Sequence, residues 1–495
     1  MRQHILAWSL TAMLVSSGAQ AQSSASRAAD EGRSGRITEA ARQAWAITDV
    51  VLEKDIDPPA RQQMLLHGLK AVLTQKSAKI PANLASRVSA VTTPDQFAAL
   101  LAEVCPADDA EAKRGSDTRE ARLFEGLFGW QSAEEHGRFY LSPRDVKAHE
   151  MIAGNRYVGT GIQIRKNDKE KLTQIVIPFP GGPARKAGAR PGDLIVEVDG
   201  KSMAGRSLRE VVEHVQGEEG TKVSMTVRQP GESKTRRLAM VRSVIPFSSV
   251  QGYRRTGEES WSFVRASKST VGYLSFDDIK SSTLLELRKI EPLVRAEGVR
   301  AVVLDLRFTR GEDLRHAALV ADGLLDGGLL WRVRDVRGRL REYKADRDCL
   351  FRDLPMAVLV GEHTGALAAI VAAALQDRGR AVVVGEMPKT ELIVTSLVNL
   401  PEERGALRLR TGRVERIERA GASEQQRLAA AANRLWPDHR VAFERKEMDA
   451  VLVWRHQQQS PEPKADAKPP SDPQLDKAID LLRAALSRKE KEDKK

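Results

Sequence analysis

Aromatic residues make up only 5% of this 495-residue chain, and it has two cysteines, Cys105 and Cys349. Two cysteines without clustered histidines cannot close a structural zinc site, which takes four nitrogen or sulfur ligands. No metal or phosphate motif appears, so no cofactor is expected. The apolar run from Ile5 to Val15 falls short of the ~18 residues that a membrane-spanning helix requires. Arg2 and His4 precede it and Ala19-Gln20-Ala21 follow it. Residues 1–21 therefore read as a secretory signal peptide cleaved before Gln22, in preference to a membrane anchor. No cysteine follows that position, which argues against lipidation there.

What is present is aliphatic and charged. Apolar residues are 41% of the chain, charged residues 29%, and the net charge is +12. Cores must be built mainly from aliphatic side chains over two to four domains. Export argues against nucleic acid as the target of the positive charge. The plain reading is a solvated basic face, with contact to an anionic membrane surface or an acidic partner left open. An oxidising compartment permits a disulfide, but sequence alone leaves the pairing of Cys105 with Cys349 undecided.

Along the chain, Ile37, Ala40, Ala41, Ala44, Ile47, Val50 and Val51 recur at helical steps, and a second helix is expected from Arg61. Residues 22–150 form a helical N-terminal region, with a polar loop over Pro106–Asp117. Residues 151–245 are β-rich. Gly159-Thr160-Gly161-Ile162 leads into a strand, Asp199-Gly200 signals a hairpin, and Ser207 caps a helix beginning at Leu208. Residues 246–456 alternate strand and helix, the pattern of an α/β sandwich. A Pro-rich linker, 457–471, leads to a last helix and a charged tail over 472–495. That helix is expected to run to Leu486, with the Lys/Glu tail disordered beyond it. The fold class is α+β multidomain.

Within the third region one stretch combines a buried strand, Met356–Val360, a turn, Gly361–Gly365, and an alanine-rich helix from Ala366 to Gln376. Thr364 is expected to cap that helix and Gly379 to close it in the left-handed conformation. A second strand, Ala381–Gly385, follows. Such a unit can hold a nucleophile, since a helix N-terminus favours developing negative charge. Beyond Thr364, no serine, cysteine or histidine stands in the first helical turn.

The β-rich region resembles a PDZ domain of the circularly arranged bacterial kind. The whole order resembles the C-terminal processing peptidases, or tail-specific proteases. The motifs that carry this are Val271-Gly272-Tyr273-Leu274, Asp305-Leu306-Arg307, Ala373-Ala374-Leu375-Gln376-Asp377 with Gly379-Arg380-Ala381, and Val384-Gly385-Glu386. Pro437-Asp438 and Asp472-Pro473-Gln474-Leu475 add to them. The resemblance implies a PDZ groove that binds polypeptide C-termini. Residues Gly159, Thr160, Gly161 and Ile162 would form the carboxylate-binding loop, and Leu208 and Val212 would lie on the opposite wall. It also implies a serine nucleophile with a lysine base, and here the sequence departs from the family. The family's G-[ST]-A-S-A-S-E run is matched by His363-Thr364-Gly365-Ala366-Leu367-Ala368-Ala369, so Ala366 stands at the serine position. Glu391 stands at the lysine position and Thr395 at the glutamine position. The oxyanion segment D-L-R-x-N-P-G-G keeps Gly311 but carries Glu312 at its second glycine.

A methyl group cannot attack a carbonyl. The expectation is a secreted, periplasmic pseudopeptidase that binds polypeptide C-termini, unfolded segments or an active paralogue. A second reading is an active hydrolase with relocated groups, Thr364 and Lys389. A third is a binder of a small ligand or cell-wall polymer in a cleft lined by His316, Glu362, His363 and Glu386.

Overall fold

The computed structural model describes residues 35–492, apart from 76–78, 105–118, 130–136, 144, 147–157, 246–247, 258–259, 267–268, 347 and 459–468. The signal-peptide stretch, Cys105, the Pro106–Asp117 loop and most of the linker lie outside the described residues. The chain forms two compact units. One comprises the residues up to Val146 together with Leu397–Thr411, and the other Lys147–Ser396 with Gly412–Lys495.

In the first unit, helices occupy 35–54, Arg61–Gln75, Leu84–Ser89, Pro94–Val104 and Arg119–Gly126. Their apolar stripes meet in a core that includes Leu65, Leu69, Phe97, Leu101 and Leu123, with Leu400, Leu407 and Leu409 from the second segment. Buried Arg138 grips Asp55 with two bonds of 2.8 Å, and the same carboxylate accepts from the Arg410 N–H at 3.0 Å. Segment 397–411 thus groups with the helices and not with the sequence around it.

In the second unit, residues 158–245 fold around a sheet in the order 162–167, 172–178, 194–198, 222–228, 236–241. The Asp199-Gly200 turn has positive φ at both residues and joins Val198 to Lys201 in register, the geometry of a two-residue hairpin. The helix Leu208–Val215 starts at Ser207, which forms a full capping box with Glu210. That arrangement, with the adjacent Arg206, pulls the Glu210 carboxyl down to about 2.

The rest of this unit is a three-layer sandwich. Its sheet runs β1 (Val250–Gln251), β2 (Val271–Phe276), β3 (Ala301–Asp305), β4 (Met356–Val360), β5 (Ala381–Gly385) and β6 (His439–Arg440). All neighbours from β2 onward pair in parallel. The strands are apolar on both faces because both are covered. Val302, Leu304, Met356 and Val358 face α1 (Thr283–Ala296), α2 (Leu314–Leu324) and α3 (Ala366–Asp377). Ala301, Val303, Ala357 and Leu359 face α4 (Arg445–Gln458) and α5 (Pro473–Glu492), through Trp454, Leu475, Ile479 and Leu482. Helix α5 runs past Leu486 to Glu492, which corrects the expected disordered tail. Lysine and glutamate are good helix formers, and Glu490 pairs with Arg300 at 2.6 Å, so the helix continues beyond its apolar face.

Helix α5 is tied to the sheet through Arg307, which is only 1% exposed. Its guanidinium bonds Asp305 at 2.7 and 3.0 Å and Asp472 at 2.8 and 2.9 Å. Asp472 also caps α5 by accepting from the Leu475 N–H at 3.0 Å. Tyr273 donates to Asp305 at 2.6 Å. Burial would raise the Asp305 carboxyl, but Arg307, Arg455 and Tyr273 outweigh it and hold the group well below the carboxylate range. Removing one partner of such a cluster strands a buried charge. Arg307→Ala is expected to cost about 3–5 kcal/mol in urea unfolding. A carboxylate depressed in the folded state adds stability that is complete above its unfolded value of about 3.9 and lost as pH falls below it. Acid-side loss of stability should therefore be shallower in Arg307→Ala, and parallel pH curves would count against this assignment.

Candidate functional site

The segments singled out from the sequence meet at the carboxyl ends of β2–β5, where open α/β sheets place their ligands. Leaving β3, the chain turns at Thr309, whose hydroxyl donates to the Phe276 carbonyl at 2.8 Å. Leaving β4, it makes the Gly361–Gly365 turn, and the Gly365 N–H donates to the Thr309 carbonyl at 2.9 Å. Leaving β5, the Glu386 N–H donates to the Val360 carbonyl at 3.1 Å and the Lys389 N–H to the Glu362 carbonyl at 3.3 Å. Gly385 has φ +129°, and a Cβ there would lie 2.0 Å from the Val360 carbonyl oxygen. Only glycine fits where β5 leaves the sheet.

Gly365 is the N-cap of α3, and no side chain caps the helix. The expected role of Thr364 as the cap is corrected. Its hydroxyl lies on the other side of the turn, donating to the Leu306 carbonyl at 3.0 Å and accepting from the Gly361 N–H at 2.9 Å. At 2% exposure it is a buried brace between the two turns. Ala366 opens α3 and is half-buried. Gly311 packs against Leu367, the next residue, so the β3 turn and the start of α3 are adjacent. Glu312 is exposed beyond it. Burial raises the Asp278 carboxyl, with Glu312 adding to the rise and Lys280 opposing it.

Lys389 forms a 2.7 Å ion pair with Glu362, the two side chains 57% and 47% exposed. It is a solvated, paired ammonium. His363 stacks on Phe308 with ring centres 6.3 Å apart, and the Arg455 guanidinium lies 5.4 Å from the centre of that same ring. Glu391 is exposed and Thr395 half-buried on the strand Ile393–Asn399. His316 lies on α2 and Glu386 just beyond β5, both half-buried. Among the described residues no three His, Cys, Asp or Glu side chains gather as metal ligands. Cys349 is a free, half-buried thiol.

Sequence reasoning passed over the support behind the site. Gln376 is fully buried on α3. Its amide donates to the Trp436 carbonyl at 2.9 Å and to Asp438 at 3.2 Å, while its oxygen accepts from Arg416 at 2.8 Å. Asp438 in turn accepts from the Val383 N–H on β5 at 2.8 Å. A glutamine inside an otherwise apolar helix was the available signal.

A second candidate surface lies on the β-rich domain. The strand Ile162–Asn167 is an edge strand of its sheet. The loop before it is held by its carbonyls. Thr160 O accepts from Ala184 N and Gly161 O from Phe179 N, both at 2.8 Å. Among the described residues no backbone group accepts from the N–H of Thr160 or Gly161. Gly161 has φ +73°, and a Cβ there would crowd Ile245 at 3.1 Å and Gly182 at 3.3 Å. The helix Leu208–Val215 buries Val211 and Val215, leaving Leu208 exposed and Val212 half-buried one turn apart.

The second unit combines a PDZ-type sheet and a parallel α/β core with a strand–turn–helix site. Residues 270–428 match peptidase family S41 and residues 179–229 match the PDZ domain, so the chain carries both. Carboxyl-terminal-processing proteases are among its homologues. The chain is 29% identical over 265 residues to the carboxyl-terminal-processing protease of Picosynechococcus sp., covering 54% of this chain and 62% of that one. It is 30% identical over 269 residues to the chloroplastic C-terminal processing peptidase of Tetradesmus obliquus, covering 54% and 58%. The PDZ domain of a Vibrio cholerae carboxy-terminal protease, solved with a peptide, is 28% identical, covering 18% of this chain and 98% of that one, with a TM-score of 0.17. The chain spans roughly three fifths of the length of these two curated relatives.

Thr364→Val removes both bonds of the buried hydroxyl and leaves the Gly361 N–H without its acceptor. It is expected to cost about 1–3 kcal/mol of stability in chemical denaturation. No loss of stability would show that the brace carries no weight.

Proposed function

We propose that this chain is a non-cleaving relative of the C-terminal processing peptidases that binds polypeptide C-termini or unfolded segments through its PDZ domain. The observation that carries the reading is Ala366 at the start of α3. Acyl transfer by a serine–lysine pair needs a hydroxyl and a neutral amine in contact. The position of the first is a methyl and the position of the second, Glu391, is a carboxylate. The neighbouring groups do not stand in for them. The Thr364 hydroxyl is committed to two backbone partners, and Lys389 is paired with Glu362 in solvent. Glu312, at the second glycine of the oxyanion segment, adds a like charge where an anion would develop.

Binding is supported by the edge strand Ile162–Asn167, by the N–H groups of Thr160 and Gly161, and by the apolar pair Leu208 and Val212. An extended peptide would add to the edge as a further strand, with its carboxylate against the loop. The leader-like sequence 1–21 favours a periplasmic setting, and the partner there is a protein with an accessible apolar C-terminus, an active paralogue among the candidates.

Calorimetric titration of the full chain with peptides ending in apolar residues tests both parts. A free C-terminal carboxylate should bind, amidation of the peptide should abolish binding, and Leu208→Lys should weaken it on the order of tenfold, about 1.4 kcal/mol. Equal affinity for amidated and free peptides would remove the PDZ reading. Separately, neither the wild type nor Ala366→Ser should cleave an unstructured peptide, because Glu391 stands at the position of the lysine base. Cleavage by the wild type would refute the non-catalytic reading and leave the binding result standing.

A further inference from the structure

The net charge of +12 is not absorbed by either candidate site, and one exposed concentration of it lies elsewhere in the second unit. Strands Gly328–Asp335 and Leu340–Ala345 form a hairpin, paired from Gly328↔Ala345 to Arg334↔Leu340 with a register shift between Leu329 and Trp331. Its 18 residues carry six basic side chains, Arg332, Arg334, Arg337, Arg339, Arg341 and Lys344, against Asp335 and Glu342, a net +4. Near the base of the hairpin the charges are matched. Arg332 bonds Glu342 at 3.0 Å and Arg334 bonds Glu415 at 2.6 Å. The tip, residues 335–341, carries a net +2, with Arg337, Arg339 and Arg341 against Asp335, and Val336 and Leu340 lie among these arginines. These two apolar side chains are 41% and 49% exposed.

The tip is rigid. Gly338, with φ +75°, donates to the Asp335 carbonyl at 2.9 Å, and the Asp335 carboxylate accepts from the N–H groups of Arg337 and Arg339, each at 2.9 Å. Arg339 Nε donates to the same carboxylate at 2.8 Å. Little ordering is left for a partner to impose.

We propose that this hairpin docks the protein on an anionic lipid bilayer, with Val336 and Leu340 entering the headgroup region and the tip arginines lying among the lipid phosphates. A soluble polyanion would use only the arginines. Two exposed apolar side chains between three cations are the arrangement that an interface with both charge and hydrocarbon recognises. No helix among the described residues is long and apolar enough to cross a membrane, so the contact would be peripheral.

Sedimentation of the full chain with vesicles tests it. Vesicles of equal parts phosphatidylglycerol and phosphatidylcholine should carry the protein down, and pure phosphatidylcholine vesicles should not. Raised salt should release it. At about fivefold per arginine, R337Q/R339Q/R341Q should bind on the order of 100-fold more weakly. V336S/L340S should bind roughly tenfold more weakly at unchanged charge. A charge-matched control, R288Q/R427Q/R488Q, should bind as the wild type does, and thermal melts should place all variants in the folded state. The proposal fails if phosphatidylglycerol vesicles do not bind, or if the control loses as much as the tip variant. It also fails if V336S/L340S binds like the wild type, which would point to a soluble polyanion instead.

Discussion

The buried guanidinium of Arg307 is the contact on which the core depends. It sits at the end of the central strand β3 and is bonded to a carboxylate of that strand and to Asp472, 165 residues away in sequence. Ion pairs taken fully out of water recover their desolvation cost only when every donor and acceptor is matched. Here Tyr273 completes Asp305, the Leu475 N–H completes Asp472, and the Phe443 ring lies 5.0 Å from the guanidinium carbon. The same pair therefore caps α5 and fixes the helix against the sheet. Without it the face formed by Val303, Ala357 and Leu359 would lose its cover.

That contact also shapes the turn that precedes α3. The β-carbon of Arg307 lies 3.7 Å from the position a Cβ on Gly361 would take, so the ion cluster abuts the turn that precedes α3. Above it, Thr364 braces Leu306 to Gly361, and Gly365 bonds Thr309. Below the other end of α3, Gln376 and Asp438 join the helix to β5. None of these contacts involves Ala366, Glu391 or Glu312.

The alternation of the core was legible because parallel strands covered on both faces leave unbroken apolar runs, such as Met356–Val360 and Ala301–Asp305. The cap at Ser207 and the Asp199-Gly200 hairpin were legible for the same reason: each is specified by residues within four positions. The relations that escaped are non-local. The sequence of Thr364 fits an N-cap, and only the presence of Leu306 O across the turn redirects its hydroxyl. Leu400, Leu407 and Leu409 announce burial but not which core receives them, since that depends on Asp55 meeting Arg138 and Arg410. The lysine- and glutamate-rich end of the chain has the composition of a disordered tail. It is helical because α5 is already nucleated by its buried face, and propagation adds residues at little cost.

Burial separates what the fold requires from what the chemistry would require. Asp305, Arg307, Thr364 and Gln376 are each at most 2% exposed, and a change at any of them strands a polar partner in the interior. Ala366 is half-buried, and Glu312 and Glu391 are exposed. Substitution at such positions usually shifts stability by no more than about 0.5 kcal/mol. A nucleophile, its base and an oxyanion turn have to face a substrate, and so occupy the positions the fold constrains least. On the proposed reading, the scaffold stands unchanged while those positions carry a methyl and two carboxylates.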